Sequence, residues 1–234
     1  MKVAIHQPQY LPWLGYLAKW AAADLFVFLD TVQYEKNGWQ NRNRIKAREG
    51  PQWLTVPVHA RLGVPIRHVA IDTAQPWSRR HLAAIRHAYA TAPHFAEHEA
   101  ALEDLYACPR ASLSPLAVAS ATWLARAAGI TAPAVLASEL GADATEPTDR
   151  LVELCRAVKA DTYLSGPDGV TYMDRARFAE AGIEVLVQRY EHPVYTQLHG
   201  PFVPNLSALD LVVMHGRAGG EILAGGNRWE RVER

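Results

Sequence analysis

Residues 3–30 read VAIHQPQYLPWLGYLAKWAAADLFVFLD, and this stretch predicts the architecture of the chain. Residues 3–5 form a short apolar run that is typical of a buried strand, residues 14–23 are rich in alanine and favour a helix, and residues 25–29 form a second apolar run. Strand, connection, helix and strand in this order make the βαβ unit that builds a parallel sheet. We therefore predict an α/β fold around a mainly parallel, Rossmann-like sheet.

The pattern of apolar, polar and glycine residues divides the chain into four segments. Residues 1–77 form an N-terminal α/β half that is expected to hold the main site, and residues 78–130 carry helical spacing of apolar residues between prolines, which predicts a helical insert. Residues 131–216 return to alternating strand and helix patterns and form a C-terminal α/β half. The segment 217–234 is rich in glycine and charge, and we expect a flexible tail there.

Composition narrows the class of protein. Hydrophobic residues make up 49% of the chain, charged residues 21%, and the formal net charge is zero, which argues against a general nucleic-acid binder. The two cysteines, Cys108 and Cys155, lack CxxC spacing and are expected to be buried thiols in a reducing compartment. No apolar run has membrane-spanning length, and the N-terminus runs directly into the first strand without a signal peptide. We expect a soluble cytoplasmic protein.

Two polar residues stand where predicted neighbouring strands end. Ligands of parallel sheets bind beyond the carboxyl ends of the strands, so His6 and Asp30 are expected at the same edge. His6 could act as a general base, or it could be a structural histidine bound to a backbone carbonyl. Asp30 could orient a base or accept from a substrate, or it could cap its own turn.

A polar segment rich in bases and aromatics, TVQYEKNGWQNRNRIK, follows Asp30. Lys36 and Arg42 are the strongest basic candidates there, since arginine binds carboxylate or phosphate with two hydrogen bonds and lysine acts as a point charge. Arg44 and Lys46 stand behind them in the chain. The alternative is a solvated basic loop, because lysine and arginine side chains are usually exposed.

Later parts of the chain add weaker candidates. Ser165 and Gly166 begin the loop SGPDG after a predicted strand, where the backbone could approach an anion, although a simple turn explains the loop equally well. Asp210 is an acid within an apolar helix, and it either partners an N-terminal base or faces water. His94 and His98 suit one helix face, but the chain has no HExxH motif and no Cys-His cluster, so no metal site is predicted.

On its motifs the chain resembles the WbqC-like family over nearly its whole length. The motifs are HQPQYLPWLGYLAKWAAADLFVFLD, VQYEKNGWQNRNRIK, WLTVPV, YLSGPDGVTYMD and PVYTQLHGPFVPNLSALDLVVMHG. The resemblance implies a place in the biosynthesis of O-antigen and other surface sugars, or of specialised metabolites. It suggests a transferase that forms an amide by acyl or aminoacyl transfer to an amino sugar or other amine.

Two other functions remain open. The opening of the chain is also similar to adenylate-forming ligases such as pantothenate synthetase, but Gly15-Tyr16 stands where those enzymes have a Gly-His pair that holds ATP phosphates. An ATP-dependent amide ligase is therefore one alternative, and a non-catalytic module that binds a sugar nucleotide or a carrier protein is the other. No resident cofactor is expected, although an activated acyl donor or ATP would be a co-substrate. The expected partners are a small-molecule amine or sugar-nucleotide substrate and, in one alternative, an acyl or aminoacyl carrier. We expect neither binding of a nucleic-acid duplex nor a membrane span.

The leading hypothesis assigns roles to individual side chains. His6 takes the proton of the amine, Asp30 aligns His6 or the amine, and Lys36 and Arg42 hold phosphate or carboxylate. The residues expected to contact substrate are Gln7, Gln9, Tyr10, Trp13, Gly15, Gln33, Tyr34, Trp39, Asn41, Asn43, Lys46, Ser165, Gly166, Tyr172 and Asp210.

Overall fold

The structure, a computed structural model, describes residues 1–231 as a mixed α/β arrangement of helices and strands. In chain order these are β1 (Lys2–His6), α1 (Leu14–Ala21), β2 (Leu25–Phe28), β3 (Arg42–Ala47), β4 (Gly50–Thr55), β5 (Val58–His59), β6 (Ala70–Ile71), α2 (Trp77–Tyr89), α3 (Phe95–Ala107), α4 (Leu113–Ala127), β7 (Ala134–Leu136), α5 (Pro147–Ala157), β8 (Thr162–Ser165), α6 (Arg175–Glu180), β9 (Glu184–Tyr190), α7 (Ala208–His215), α8 (Gly219–Gly225) and β10 (Asn227–Arg231).

The central sheet has six strands in the order β10-β9-β8-β1-β2-β7. All neighbours from β9 to β7 pair in parallel, and only β10 runs antiparallel, against β9. The expectation of a mainly parallel sheet is confirmed. From β1 the chain first builds outward to β2 and β7, and later returns to build β8 and β9 on the other side. The strand order therefore reverses between β1 and β8, which is where open α/β sheets leave a crevice for ligands.

Side chains of successive residues in the central strands pack in two apolar layers, one on each face of the sheet. Val3 and Ile5 of β1 pack in one layer with α5 and α6, whereas Ala4 packs in the other layer with α1, α4 and α7. Since side chains alternate along a strand, one short apolar run supplies both layers. Helices α2, α3 and α4 of the predicted insert pack in the same layer as α1, so the insert shares its core with the N-terminal half.

The segment after β2 forms a small separate sheet. Strands β3 and β4 form an antiparallel hairpin outside the central sheet, with Arg44 opposite Trp53. β4 ends at Thr55, and Val58 begins the separate short strand β5. Pro57 lies between them and has no backbone N–H to donate to a ladder.

In place of the expected flexible tail, residues 219–225 form α8 and residues 227–231 form β10 at the edge of the sheet. The Asn227 side chain fixes this strand, since it donates to Ala18 O at 2.8 Å and accepts from Gln188 Nε2 at 2.7 Å. The part of the expectation that concerns residues 232–234 lies outside the described residues. None of the helices within residues 1–231 combines the length and the apolar character needed to cross a bilayer.

Candidate functional site

A cavity of about 490 Å³ lies at the carboxyl ends of β1 and β8, where the strand order reverses. Its walls come from the end of β1, the start of α1, the loop after β8 and the β3–β4 region; they include His6, Gln7, Gln9, Trp13, Gly15, Tyr16, Lys19, Glu35, Trp39, Gln40, Arg44, Tyr163, Ser165, Gly166, Asp168, Gly169, Tyr172 and Gln188. Two larger surface hollows, of about 840 and 620 Å³, meet around residues 129–133. We place the site in the smaller cavity because buried polar groups converge there and not in the hollows.

His6 is held in one orientation by its neighbours. Its Nδ1 lies 3.2 Å from Gln7 O, and because a carbonyl only accepts, Nδ1 carries the proton and Nε2 of the neutral ring is a free base. The ring of Tyr16 meets the imidazole edge-on at 4.7 Å, and its hydroxyl also donates to Gln7 O. Burial, and then the charge of Lys19, lower the pKa of His6 well below 6.5. The imidazole is therefore neutral at pH 7 and suited to accept a proton.

Lys19 is the functional candidate that the sequence analysis missed. Its side chain projects from α1 into the cavity, is only 2% exposed, and places Nζ 3.5 Å from Ile5 O. Burial lowers the pKa of Lys19 to about 7, and the carboxylate of Asp168 opposes this effect. A lone lysine within the otherwise apolar helix LGYLAKWA was the available signal. A desolvated amine in a cleft is a common feature of functional sites.

Glutamine side chains form part of the cavity wall. Gln7 accepts from Gln40 Nε2 at 2.8 Å, and Gln40 in turn accepts from the backbone N–H of Glu35 at 3.0 Å, so both amides are fixed. Gln9 is only 6% exposed, and its Oε1 has no hydrogen-bond partner among the described residues. A buried acceptor without a donor is unfavourable by about 1–3 kcal/mol, so Gln9 is suited to accept from a bound ligand.

Two glycines allow the close approach of elements around the cavity. A Cβ on Gly15 would lie 2.3 Å from the ring of Trp13, and a Cβ on Gly169 would lie 2.2 Å from Ser165 Oγ. The first turn of α1 has no side-chain cap, since Trp13 occupies the N-cap position. The first N–H groups of a helix lack partners within the helix, and Gly15 of this turn lines the cavity, an arrangement that suits an anionic or carbonyl oxygen.

Charges of both signs line the cavity. Lys19 and Arg44 are the cations, and Glu35 and Asp168 are the carboxylates. The expected anion-attracting cluster of Lys36, Arg42 and Lys46 is not part of this lining. The cavity therefore matches a ligand that carries both an amine and an acidic or carbonyl group better than a simple polyanion.

The structure brings about half of the predicted site residues to the cavity. His6, Gln7, Gln9, Trp13, Gly15, Trp39, Ser165, Gly166 and Tyr172 line it. Their contacts with a ligand stay a prediction. Gln33 and Tyr34 lie outside the lining; Gln33 is exposed and Tyr34 is buried against the segment around Val64.

Asp30 and Arg42 are not where the hypothesis needs them. The carboxylate of Asp30 is buried and accepts from both the backbone N–H and the hydroxyl of Ser138, at 3.0 and 2.8 Å. The Asp30 carboxylate therefore stabilises the turn after β7 and does not orient His6. Asp30 follows β2, and its side chain lies on the side of β2 that pairs with β7. Arg42 donates to Asn37 O and stacks 4.5 Å above the ring of Trp53, on the hairpin. Lys36 is exposed and also lies outside the cavity lining.

The predicted asparagines and Tyr10 have structural contacts. Asn41 donates to Val56 O at 2.8 Å, and Asn43 donates to Leu11 O at 2.6 Å. Both amides are buried and connect the hairpin to its surroundings, so neither is free to orient a ligand. Tyr10 is fully buried, and its hydroxyl contacts Tyr106.

Lys46 and Asp210 belong to a buried network outside the cavity. Lys46 Nζ donates to Gln197 Oε1 at 3.1 Å and to Pro201 O at 2.6 Å. Asp210 is fully buried and accepts from Tyr89 Oη at 2.8 Å, and Tyr89 Oη itself accepts from the backbone N–H of Lys46. Burial lowers the pKa of Lys46, and the charge of Asp210 opposes this effect. The burial of Asp210 excludes the alternative in which it faces water, but among the described residues its hydrogen-bond partner is Tyr89 and it forms no ion pair with an N-terminal base. Residues 1–231 contain no group of three or more side chains placed to hold a metal ion.

Comparison with known proteins gives a family and no activity. The model described as "WbqC-like protein family" matches residues 7–222. The uncharacterized protein Rv1507c of Mycobacterium tuberculosis is 38% identical over 216 residues, which cover 90% of this chain and 92% of that protein. No solved structure matches the chain. The match over most of its length shows that the chain belongs to the WbqC-like protein family.

Proposed function

We propose that this protein is an enzyme that forms an amide, by transferring an activated acyl or aminoacyl group to an amino sugar or other amine. The observation that carries the proposal is the pair of desolvated bases, His6 and Lys19, in one cavity at the reversal of strand order. Amide formation must remove a proton from the amine and stabilise negative charge on the carbonyl oxygen. His6 is suited to the first task and protonated Lys19 to the second.

The reaction can be written with the residues of the cavity. The amine nitrogen attacks the carbonyl carbon, and His6 Nε2 accepts the proton that this nitrogen loses. The bond between the carbonyl carbon and the leaving group then breaks, and the proton passes from His6 to the leaving group. Glu35 and Asp168 would position the neutral acceptor amine by accepting hydrogen bonds from its N–H groups, and Arg44 would hold a phosphate or carboxylate. Holding both substrates in one cavity would supply much of the acceleration.

The topology supports a small-molecule enzyme. The parallel strands follow one another along the chain as they do in a doubly wound sheet. We therefore include a Rossmann-like fold in the proposal. Such sheets bind their ligands at the switch point that this cavity occupies. The proposal places the enzyme in the cytoplasm, in surface-polysaccharide or specialised-metabolite biosynthesis.

An ATP-dependent amide ligase is the second candidate. The start of α1 favours it, because uncapped N–H groups beside Gly15 could hold a phosphate. A ligase would release AMP and pyrophosphate only when a carboxylic acid is present, whereas a transferase needs a preactivated donor and no ATP. Product analysis with and without ATP therefore distinguishes the two.

The test of the proposal compares His6→Gln with the parent, using a panel of activated acyl and aminoacyl donors with amino-sugar acceptors. Removal of a general base lowers the rate by roughly a hundred- to ten-thousand-fold, and glutamine keeps a polar side chain, so binding should persist while turnover is lost. His87→Gln is the control, since His87 is exposed on α2. If His6→Gln turns over as fast as the parent, His6 is not the base. If the parent forms no amide with any pair, the protein is a binding module.

A further inference from the structure

One face of the β3–β4 hairpin, together with the turn before it, carries exposed tryptophans beside arginines. We call this set the aromatic rim and define it as Trp39, Arg42, Arg44 and Trp53. Trp39 and Arg44 also line the cavity, so the rim is continuous with its mouth. Arg44 lies opposite Trp53 in the hairpin register, and Arg42 follows on the same face because side chains alternate along a strand.

The tryptophans of the aromatic rim are more exposed than their size would favour. Trp39 is 41% exposed and Trp53 is 44% exposed, and their ring centroids lie 5.6 Å apart at an angle of 36°. The rings therefore diverge and leave apolar surface open to solvent. Aromatic faces of this kind stack on nucleobases, and each stacked base contributes about 1–3 kcal/mol.

Each arginine of the aromatic rim donates from one terminal nitrogen to a backbone carbonyl, Arg42 to Asn37 O and Arg44 to Asn205 O at 3.3 Å, and its other terminal nitrogen has no hydrogen-bond partner among the described residues. Arg42 lies 4.5 Å and Arg44 5.6 Å from the ring of Trp53, and the Nε atoms of both are buried without a partner among the described residues. Within residues 1–231 neither guanidinium forms an ion pair with a carboxylate. Guanidinium groups bind phosphate with paired hydrogen bonds, so two of them beside aromatic faces match a base that carries phosphates.

We propose that the aromatic rim binds the nucleoside diphosphate part of a nucleotide-linked substrate, with the base against Trp39 and Trp53 and the phosphates on Arg42 and Arg44. The attached group then extends into the cavity toward Gln9 and His6. A small nucleotide fits better than a nucleic-acid strand, because the formal net charge of the chain is zero and the patch holds only two cations. What happens to the attached group rests on the proposed function; the binding of the nucleotide does not.

The test measures binding by isothermal titration calorimetry and needs no turnover. Uridine, thymidine and adenosine diphosphates are titrated separately into the full chain, and at least one should bind more tightly than its own nucleoside and than pyrophosphate. Arg44→Gln and Trp53→Ala should each weaken that binding about fivefold or more, since a hydrogen bond to a charged group and a stacked base each contribute at least about 1 kcal/mol.

A matched control comes from the same hairpin. Arg48→Gln removes the same charge at the exposed turn between β3 and β4 and should leave nucleotide affinity unchanged. Circular dichroism melts show that each variant is folded. The proposal is overturned if none of the three diphosphates binds, if Arg44→Gln and Trp53→Ala bind as the parent does, or if only a single-stranded RNA oligonucleotide is bound. Binding of a diphosphate by a parent that forms no amide would instead refute the proposed function and leave the aromatic rim proposal intact.

Discussion

Replacing Lys19 by methionine tests the burial of a charge in the cavity wall. Methionine is similar in length, apolar and flexible, so it can fill the same space. A lowering of the pKa of Lys19 from 10.5 to about 7 means that the folded chain holds the ammonium less favourably than the unfolded chain. At about 1.4 kcal/mol for each pKa unit, the difference is about 5 kcal/mol at low pH.

This destabilisation depends on pH in a defined direction. Between pH 7 and 10.5 the unfolded chain binds the Lys19 proton more tightly than the folded chain, so the contribution of Lys19 to stability rises with pH in that window. The destabilisation is therefore about 4 kcal/mol at pH 7 and about 2 kcal/mol at pH 9. Lys19→Met removes it at both values. The stability gained by the variant over the parent should thus be about 2 kcal/mol smaller at pH 9 than at pH 7.

Urea denaturation followed by circular dichroism, at pH 7 and pH 9, measures these differences. Packing changes caused by methionine affect both pH values alike, so the change in the difference isolates the titration of Lys19. Lys36→Met is the matched control, because Lys36 is exposed to water, and its difference from the parent should stay constant. A Lys19→Met variant whose gain is the same at both pH values would refute a buried amine with a lowered pKa.

Three further predictions concern the surroundings of the cavity. Asp30→Ala should destabilise the fold by about 1–3 kcal/mol, since the backbone N–H and the hydroxyl of Ser138 both lose a charged acceptor, and calorimetric ligand affinity should not change. Weakened ligand binding by this variant would return Asp30 to the site. Gly15→Ala should displace the ring of Trp13, because the new Cβ would lie 2.3 Å from that ring. Thermal melts should show a loss of stability of about 1–3 kcal/mol, and calorimetry should show weaker ligand binding. A variant with unchanged stability and ligand affinity would show that the ring moves freely. Because burial lowers the pKa of His6 well below 6.5, the acidic limb of the rate profile should have its midpoint below pH 6.5, and a midpoint above this value would exclude His6 as the base.

Local patterns predicted the sheet well and the site only in part. The βαβ pattern of residues 3–30 gave the central parallel pair, because apolar runs and a helix between them follow from chain-local chemistry. The same reasoning placed His6 correctly at the edge. It placed Asp30 beside His6 because both end a parallel strand, yet β2 has a second neighbour, β7, and the carboxylate turns to Ser138 on that side. Tertiary packing decides which of the two neighbouring strands is contacted by the side chain at a strand end.

The hairpin shows a second limit of sequence reasoning. Consecutive polar residues around Asn41 and Asn43 suggested a ligand-binding loop, since amides are usually solvated. Instead their amides bind backbone carbonyls of Val56 and Leu11, which are distant in sequence or lie in another element. Lys19 was overlooked for the converse reason, because one lysine in a helix is normally exposed and only its position above β1 buries it.

The central position of β1 has a consequence for synthesis of the chain. β1 leaves the ribosome well before its neighbour β8, and the Gln188 side chain that binds Gly15 O is made 173 residues after Gly15. At 5–20 residues per second this delay is about 10–35 s, during which an apolar central strand has one side unpaired. Newly made chains should therefore need chaperones at this stage. Slowing translation between residues 30 and 162 should lower the soluble fraction in a cell-free extract.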